Sequence, residues 1–153
     1  MWTVFVQSRY ATAASLIVMT NKLTPNWVPR SGLQLRLAGV HFDAIRVCGV
    51  RGEAVLHHLV ALTDGHPGPV VRESNGCRWT YFLLAPGEGA ERDWPPGARR
   101  FTRSAHDEYV GVPAPEGNTY PLSWGHGAPE VGEFVDAELL HGVLMAQLCR
   151  TSE

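Results

Sequence analysis

Two rhythms of apolar and polar positions alternate along this chain, and each change of rhythm falls where Gly, Pro, Asn or Asp cluster. Phe42 to Val47, within HFDAIRV, is apolar and β-compatible and predicts a strand. RGEAVLHHLVAL follows it. Its Ala54, Val55, Leu59 and Leu62 recur at helical spacing, and Asp64-Gly65 ends the helix. GPVVRESNGCRWTYFLLAPG then predicts a short strand over Val70 to Arg72, a turn at Ser74-Asn75-Gly76, and a stronger strand from Arg78 to Ala85. Asn-Gly between two β-like runs signals a hairpin, because both residues tolerate positive φ.

Past the polar loop GEGAERDWPPG, where Trp94 anchors by packing, alternation returns over Arg99 to Thr102 and Glu108 to Val112. A polar turn around Ser104 to Asp107 separates the two strands, and Pro113 stops the second. After the aromatic loop NTYPLSWGHGAPE, Asp136 is a natural N-cap for a helix running AELLHGVLMAQLCR. Leu139, Leu140, Val143, Leu144 and Leu148 form its apolar stripe, Gly142 weakens it, and Arg150 suits its C-terminal end. The order is β-α-β-β-β-β-α after a weakly specified start: an α+β fold with a mixed, largely antiparallel sheet and covering helices.

At 153 residues, with 44% hydrophobic and 18% charged positions, the chain is sized for one self-sufficient core. Residues 1–33 are expected to be an N-terminal extension and 34–153 a single domain. The apolar run ATAASLIVMT is about half the roughly 20 residues that span a bilayer, so no membrane is expected. Arg9 and Lys22 flank it in the manner of a signal peptide, but no small-residue cleavage site follows. Cys48, Cys77 and Cys149 are odd in number, widely spaced and without Cys-x-x-Cys, which predicts small, buried, unreactive side chains in a reducing cytoplasm.

Charge is divided unevenly. Up to Arg103 there are 12 basic and 7 acidic residues; beyond it there are 1 and 8. Such asymmetry marks either an anion-binding face or two complementary halves of one domain. All basic residues but Lys22 are Arg, a bias that GC-rich coding also produces. Strands of one sheet can gather Arg72, Arg78, Arg99, Arg100 and Arg103, with Glu73 and Asp93 as nearby counter-charges, and Trp79, Tyr81 and Phe82 offer either base stacking or core.

GEGAE superficially matches a phosphate loop, yet Trp94-Pro95-Pro96 rules out the helix that must follow one, so it reads as a plain loop. SAHDE crowds Ser, His, Asp and Glu into one turn, whereas a nucleophile, base and orienter are normally drawn from distant segments. His57-His58 predicts one buried and one exposed imidazole, and no zinc spacing is present. Asp43 in HFDAIRV is the remaining candidate, as a metal-binding carboxylate or as a structural one.

In order, FDAIRV, RGEAVLHHL, GPVV, CRWTYFLLAPG and DEYVGVPAP resemble the N-terminal domain of bifunctional DNA primase/polymerases, the prim-pol branch of archaeo-eukaryotic primases. The resemblance covers about Phe42 to Pro115 and implies a prim-pol-like, RRM-like core. It implies metal-dependent nucleotidyl transfer in the family, where acidic residues hold the divalent cation. Here Arg46 stands at the family's first metal-binding Asp, Thr80 at its second-motif histidine, and Arg100 near its later acidic position. Using Asp43 instead would require a second carboxylate two residues on, where Ile45 stands.

These replacements point away from an enzyme and toward a catalytically degenerate domain, acting as a binding or regulatory module. Arg46, Arg78, Thr80 and Arg100 are expected to line a retained cleft for a nucleotide, nucleic acid or other anionic ligand. No catalytic residue, metal or cofactor enters this reading. An active primase/polymerase or other nucleotidyltransferase, and a protein-interaction module without ligand, are the alternatives.

Overall fold

The computed structural model describes residues 23–149. In chain order the elements are β1 (Leu33–Leu37), β2 (Asp43–Cys48), α1 (Gly49–Leu62), β3 (Val70–Glu73), β4 (Trp79–Leu84), a 3-10 turn (Glu88–Ala90), β5 (Ala98–Phe101), β6 (Tyr109–Pro113), β7 (Leu122–Trp124) and α2 (Ala137–Cys149). The α+β class expected from the sequence is the one formed. Five strands make a sheet in the order β5-β2-β4-β3-β7, and β1 pairs with β6 as a separate ribbon. Every pairing is antiparallel. Because β2 and β3 both oppose the β4 between them, they run parallel and are joined through α1, a split β-α-β unit.

Side chains alternate across a strand, so β2 sends Ile45 and Val47 to one face and Ala44 and Arg46 to the other. On the first face Ile45, Val47, Val70, Phe82 and Leu84 meet Val55, Leu56 and Leu59 of α1 and Leu140, Val143, Leu144 and Leu148 of α2. On the second, Ala44, Val71, Leu83 and Phe101 meet Trp27, Val28 and Phe42 and the ribbon's Val110 and Val112. Each such large side chain contributes about 2 kcal/mol on burial. Strands covered on both sides read as continuous apolar runs, which is why FDAIRV and TYFLL show little alternation.

Several expectations are corrected. The strands β1 and β7 went unpredicted, since three residues of β7 are too few to show a period and β1 lies in a run of mixed polarity. The Asn75-Gly76 hairpin forms, but its loop spans 74–78; the left-handed residues are Gly76 (φ 58°) and Arg78 (φ 59°), not Asn75. The buried stripe of α1 is Gly52, Val55, Leu56 and Leu59; Leu62 is exposed, as are both His57 and His58. Asp136 does cap α2, its Oδ1 accepting the Leu139 N–H at 3.0 Å.

The cysteines depart furthest from expectation. Cys48 and Cys77 form a disulfide with Cα atoms 5.9 Å apart, Cys48 is half-buried, and Cys77 and Cys149 are exposed. A disulfide at the surface and an exposed third cysteine replace the three buried thiols expected, which removes the ground on which a reducing compartment was expected. Within the expected extension 1–33, Trp27 and Val28 are core residues. The apolar run ending at Thr20, its flanking Arg9 and Lys22, and the helix-terminal Arg150 lie outside the described residues. No described helix is long and apolar enough to cross a membrane.

Candidate functional site

The two ends of β2 carry the chemistry. At its start Asp43 is fully buried. Its Oδ2 accepts the Gly87 N–H at 3.0 Å and the Gly89 N–H at 2.9 Å. A Cβ at Gly89 would stand 2.9 Å from Thr102 Cγ2 and 3.1 Å from Asp43 Oδ2, so only glycine permits this approach. The glycines of GEGA therefore cradle an acceptor, and it is the chain's own Asp43 carboxyl group. Burial pushes the Asp43 pKa above its ordinary value and the Glu88 charge adds to this, while the two N–H bonds pull it down.

Asp43 Oδ1 is buried and has no hydrogen-bond partner. The loop it holds is fastened onward. Gly89 O accepts the Trp94 indole N–H at 2.8 Å, the Trp94 ring meets His141 edge-on at 5.4 Å, and His141 Nε2 lies 2.9 Å from Asp93 O. Asp43 is thus a positioning carboxylate for a loop packed on α2. Among the described residues no three His, Cys, Asp or Glu side chains converge as a metal site.

The four residues expected to share a cleft are divided by the sheet. Register sets Arg46 opposite Tyr81 and Arg99, on the ribbon face. It sets Thr80 opposite Val47 and Arg72, and Arg100 opposite Ile45, on the helix face. Arg46 therefore cannot line one surface with Thr80 and Arg100. Thr80 is buried under α1, where a Cβ at Gly52 would fall 2.7 Å from its Oγ1. Arg100 is exposed beside Asp93 and Trp94 at the β5 edge. Only Arg78 and Thr80 meet in one cavity.

On the ribbon face the Arg46 guanidinium lies 3.8 Å over the Trp79 ring and 5.3 Å from that of Phe101. Arg99 covers Phe101 at 4.4 Å and pairs with Glu108 at 2.8 Å. The Tyr81 hydroxyl donates to Glu73 Oε2 at 3.2 Å. Burial raises the Tyr81 pKa and Glu73 raises it further, whereas the neighbouring Arg46 lowers it. Arg46 is accordingly a cation packed on aromatic rings beside Tyr81, with its Nε buried and unpartnered. The arginines expected on one face are split between two, and Arg72 pairs bidentately with Glu53 at 2.7 and 2.8 Å on the helix side.

At the far end of β2 the chain turns into α1 through Gly49 at φ 63°, a conformation glycine adopts without strain. Cys48 is the N-cap residue, no side chain caps the first turn, and that turn holds no acidic residue. The Gly49 N–H donates to Arg78 O at 2.8 Å, so the helix start is tied to the hairpin loop beside it. Between them lies a cleft of about 590 Å³ lined by Gly49, Val50, Glu53, Arg72, Glu73, Arg78, Trp79 and Thr80, with Cys77 at its rim. Glu53 is taken by Arg72 and Glu73 by Tyr81, while Arg78 is exposed and enters no ion pair among the described residues.

Two other cavities suit an anion less. A groove of about 660 Å³ between α1 and α2 is lined by Leu62, Leu139 and Val143 with Asp136 and Glu138. One of about 820 Å³ holds Arg30 and Arg36, but Arg36 Nε donates to Trp27 O and Glu116 shares the lining. Sequence reasoning missed Cys48, Cys77 and the helix start as parts of the cleft. A signal existed: aligning the apolar runs of β2 and β4 brings Cys48 opposite Trp79, two residues from Cys77. Comparison of the chain with protein families, curated proteins and solved structures finds no match.

Proposed function

We propose that this chain is a non-catalytic binding domain that receives the phosphate end of a nucleotide or nucleic acid in the cleft at the head of α1. The observation that carries the reading is the exposed Arg78 in the cleft: Glu53 is paired with Arg72 and Glu73 is tied to the Tyr81 hydroxyl, while Arg78 enters no ion pair among the described residues. A helix start without acidic residues adds a favourable field for negative charge. The ligand class is the one the resemblance to prim-pol domains implies, while the expected contacts narrow from Arg46, Arg78 and Arg100 to Arg78.

Titration of ATP, inorganic tripolyphosphate and a short single-stranded oligonucleotide, at low and moderate salt, tests the reading. Binding is expected to weaken as salt rises. Arg78→Ala is expected to weaken it about tenfold, the loss of roughly 1.4 kcal/mol of charge-assisted bonding. Arg100→Ala, at the other edge of the sheet, is expected to leave it unchanged. Absence of binding by folded protein at low salt overturns the proposal.

A further inference from the structure

We infer that the Cys48–Cys77 disulfide is a redox-operated latch on this cleft, so that its ligand affinity follows the thiol state of the surroundings. The inference rests on the binding site proposed above and adds its regulation.

The argument begins with where the two sulfurs sit. Cys48 is both the last residue of β2 and the N-cap of α1; Cys77 belongs to the loop 74–78, whose five residues are all exposed. The bond therefore joins a rigid element to a surface loop across 29 positions of sequence. Its neighbours in sequence, Gly49 and Arg78, both have left-handed backbones (φ 63° and 59°) and are bonded to each other, Gly49 N–H to Arg78 O at 2.8 Å. For an arginine that conformation is disfavoured and persists only while its surroundings impose it. Apart from the disulfide, the loop is held from outside by the Gly49 bond, by Ser74 N–H donating to Pro121 O at 2.9 Å, and by a 3.4 Å contact of Tyr120 with Asn75.

Cutting the cross-link thus releases the loop that presents Arg78, while both core clusters lie elsewhere and keep their contacts. Exposure of Cys77 makes the bond reachable by a dithiol in the folded protein. One thiolate of the dithiol attacks the exposed Cys77 sulfur and the Cys48 thiolate leaves, taking up a proton. The second thiol then displaces the Cys77 sulfur as a thiolate, which is protonated in turn. Two electrons pass to the protein and the dithiol departs as its own disulfide.

The test uses the full chain, air-oxidised and then treated with dithiothreitol without denaturant. Alkylation after subsequent unfolding is expected to count one thiol in the oxidised form and three in the reduced form. Amide hydrogen exchange of residues 76–80 and Gly49 is expected to accelerate on reduction at least tenfold more than that of Ile45 and Phe82, which follow global stability. Affinity for tripolyphosphate is expected to fall at least threefold. Cys77→Ser should behave as the reduced protein and ignore dithiothreitol. Reduction that requires denaturant, exchange that is equal in the two forms, or exchange that quickens equally in loop and core overturns the latch. So does tripolyphosphate affinity that is the same in both states. If neither form binds tripolyphosphate, the proposed binding function fails, and the exchange contrast alone decides whether the latch exists.

Discussion

The two ends of β2 solve the same problem in opposite ways. Each meets backbone N–H groups at a glycine-containing turn, the loop Gly87 to Gly89 at one end and the α1 start at the other. At the first, the chain supplies its own anion: the Asp43 carboxylate accepts from both glycines and is sealed from solvent. At the second, no side chain caps the turn, the N-cap cysteine is spent on a disulfide, and a cleft opens whose Arg78 enters no ion pair among the described residues. A phosphate-like cradle already filled from within has a structural role. The other end, with no internal carboxylate, is the one proposed above to take a ligand.

The sharpest way to break this contrast is to remove the covalent tie. Cys48→Ser with Cys77→Ser is expected to destabilise the protein by about 3 kcal/mol, a fall in Tm of roughly 10 °C, read by calorimetry. The open end would then owe global stability to the bond as well as local order. A smaller effect is expected at the closed end. Asp43→Ala strips Gly87 and Gly89 of their acceptor, and because Gly87 can turn to water the loss should be about 2 kcal/mol, read by urea unfolding. A change near zero would show that the buried carboxylate costs as much as its bonds return.

The pH dependence sharpens the same point. Asp43 has a folded pKa raised above its ordinary value, chiefly by burial. Its contribution to stability is therefore full below the unfolded pKa and is lost as pH rises through the folded one. Asp43→Asn keeps an acceptor for the two glycines and removes the titration. Its stability relative to the parent chain is expected to rise from pH 3 to pH 7; a constant difference across that range would refute the assignment. The smallest effect is expected from Trp94→Phe, which deletes the indole bond to Gly89 O but keeps a ring against His141. About 1 kcal/mol should be lost, with tripolyphosphate binding at the other end of β2 unaffected.

The period of the apolar positions gave α1, β2 to β6 and α2 in order, together with the cap at Asp136, because periodicity, capping and turn chemistry act over a few residues. Thr80 was marked by the resemblance to prim-pol domains and Arg78 as one of several strand arginines, while the glycines of GEGAE gave only a superficial likeness to a phosphate loop. Which face each strand residue occupies follows from register, and register depends on which strands become neighbours. Placing β4 between β2 and β3 is what sends Arg46 to the ribbon face and Thr80 beneath α1. The same placement brings Cys48 to Cys77 and Asp43 to Gly89. These pairings join residues 29 and 46 positions apart, a distance over which local preference carries no information. Local sequence determined the elements and the residue types at their ends; tertiary packing alone decided which of those ends would be closed by the chain itself and which would stay open.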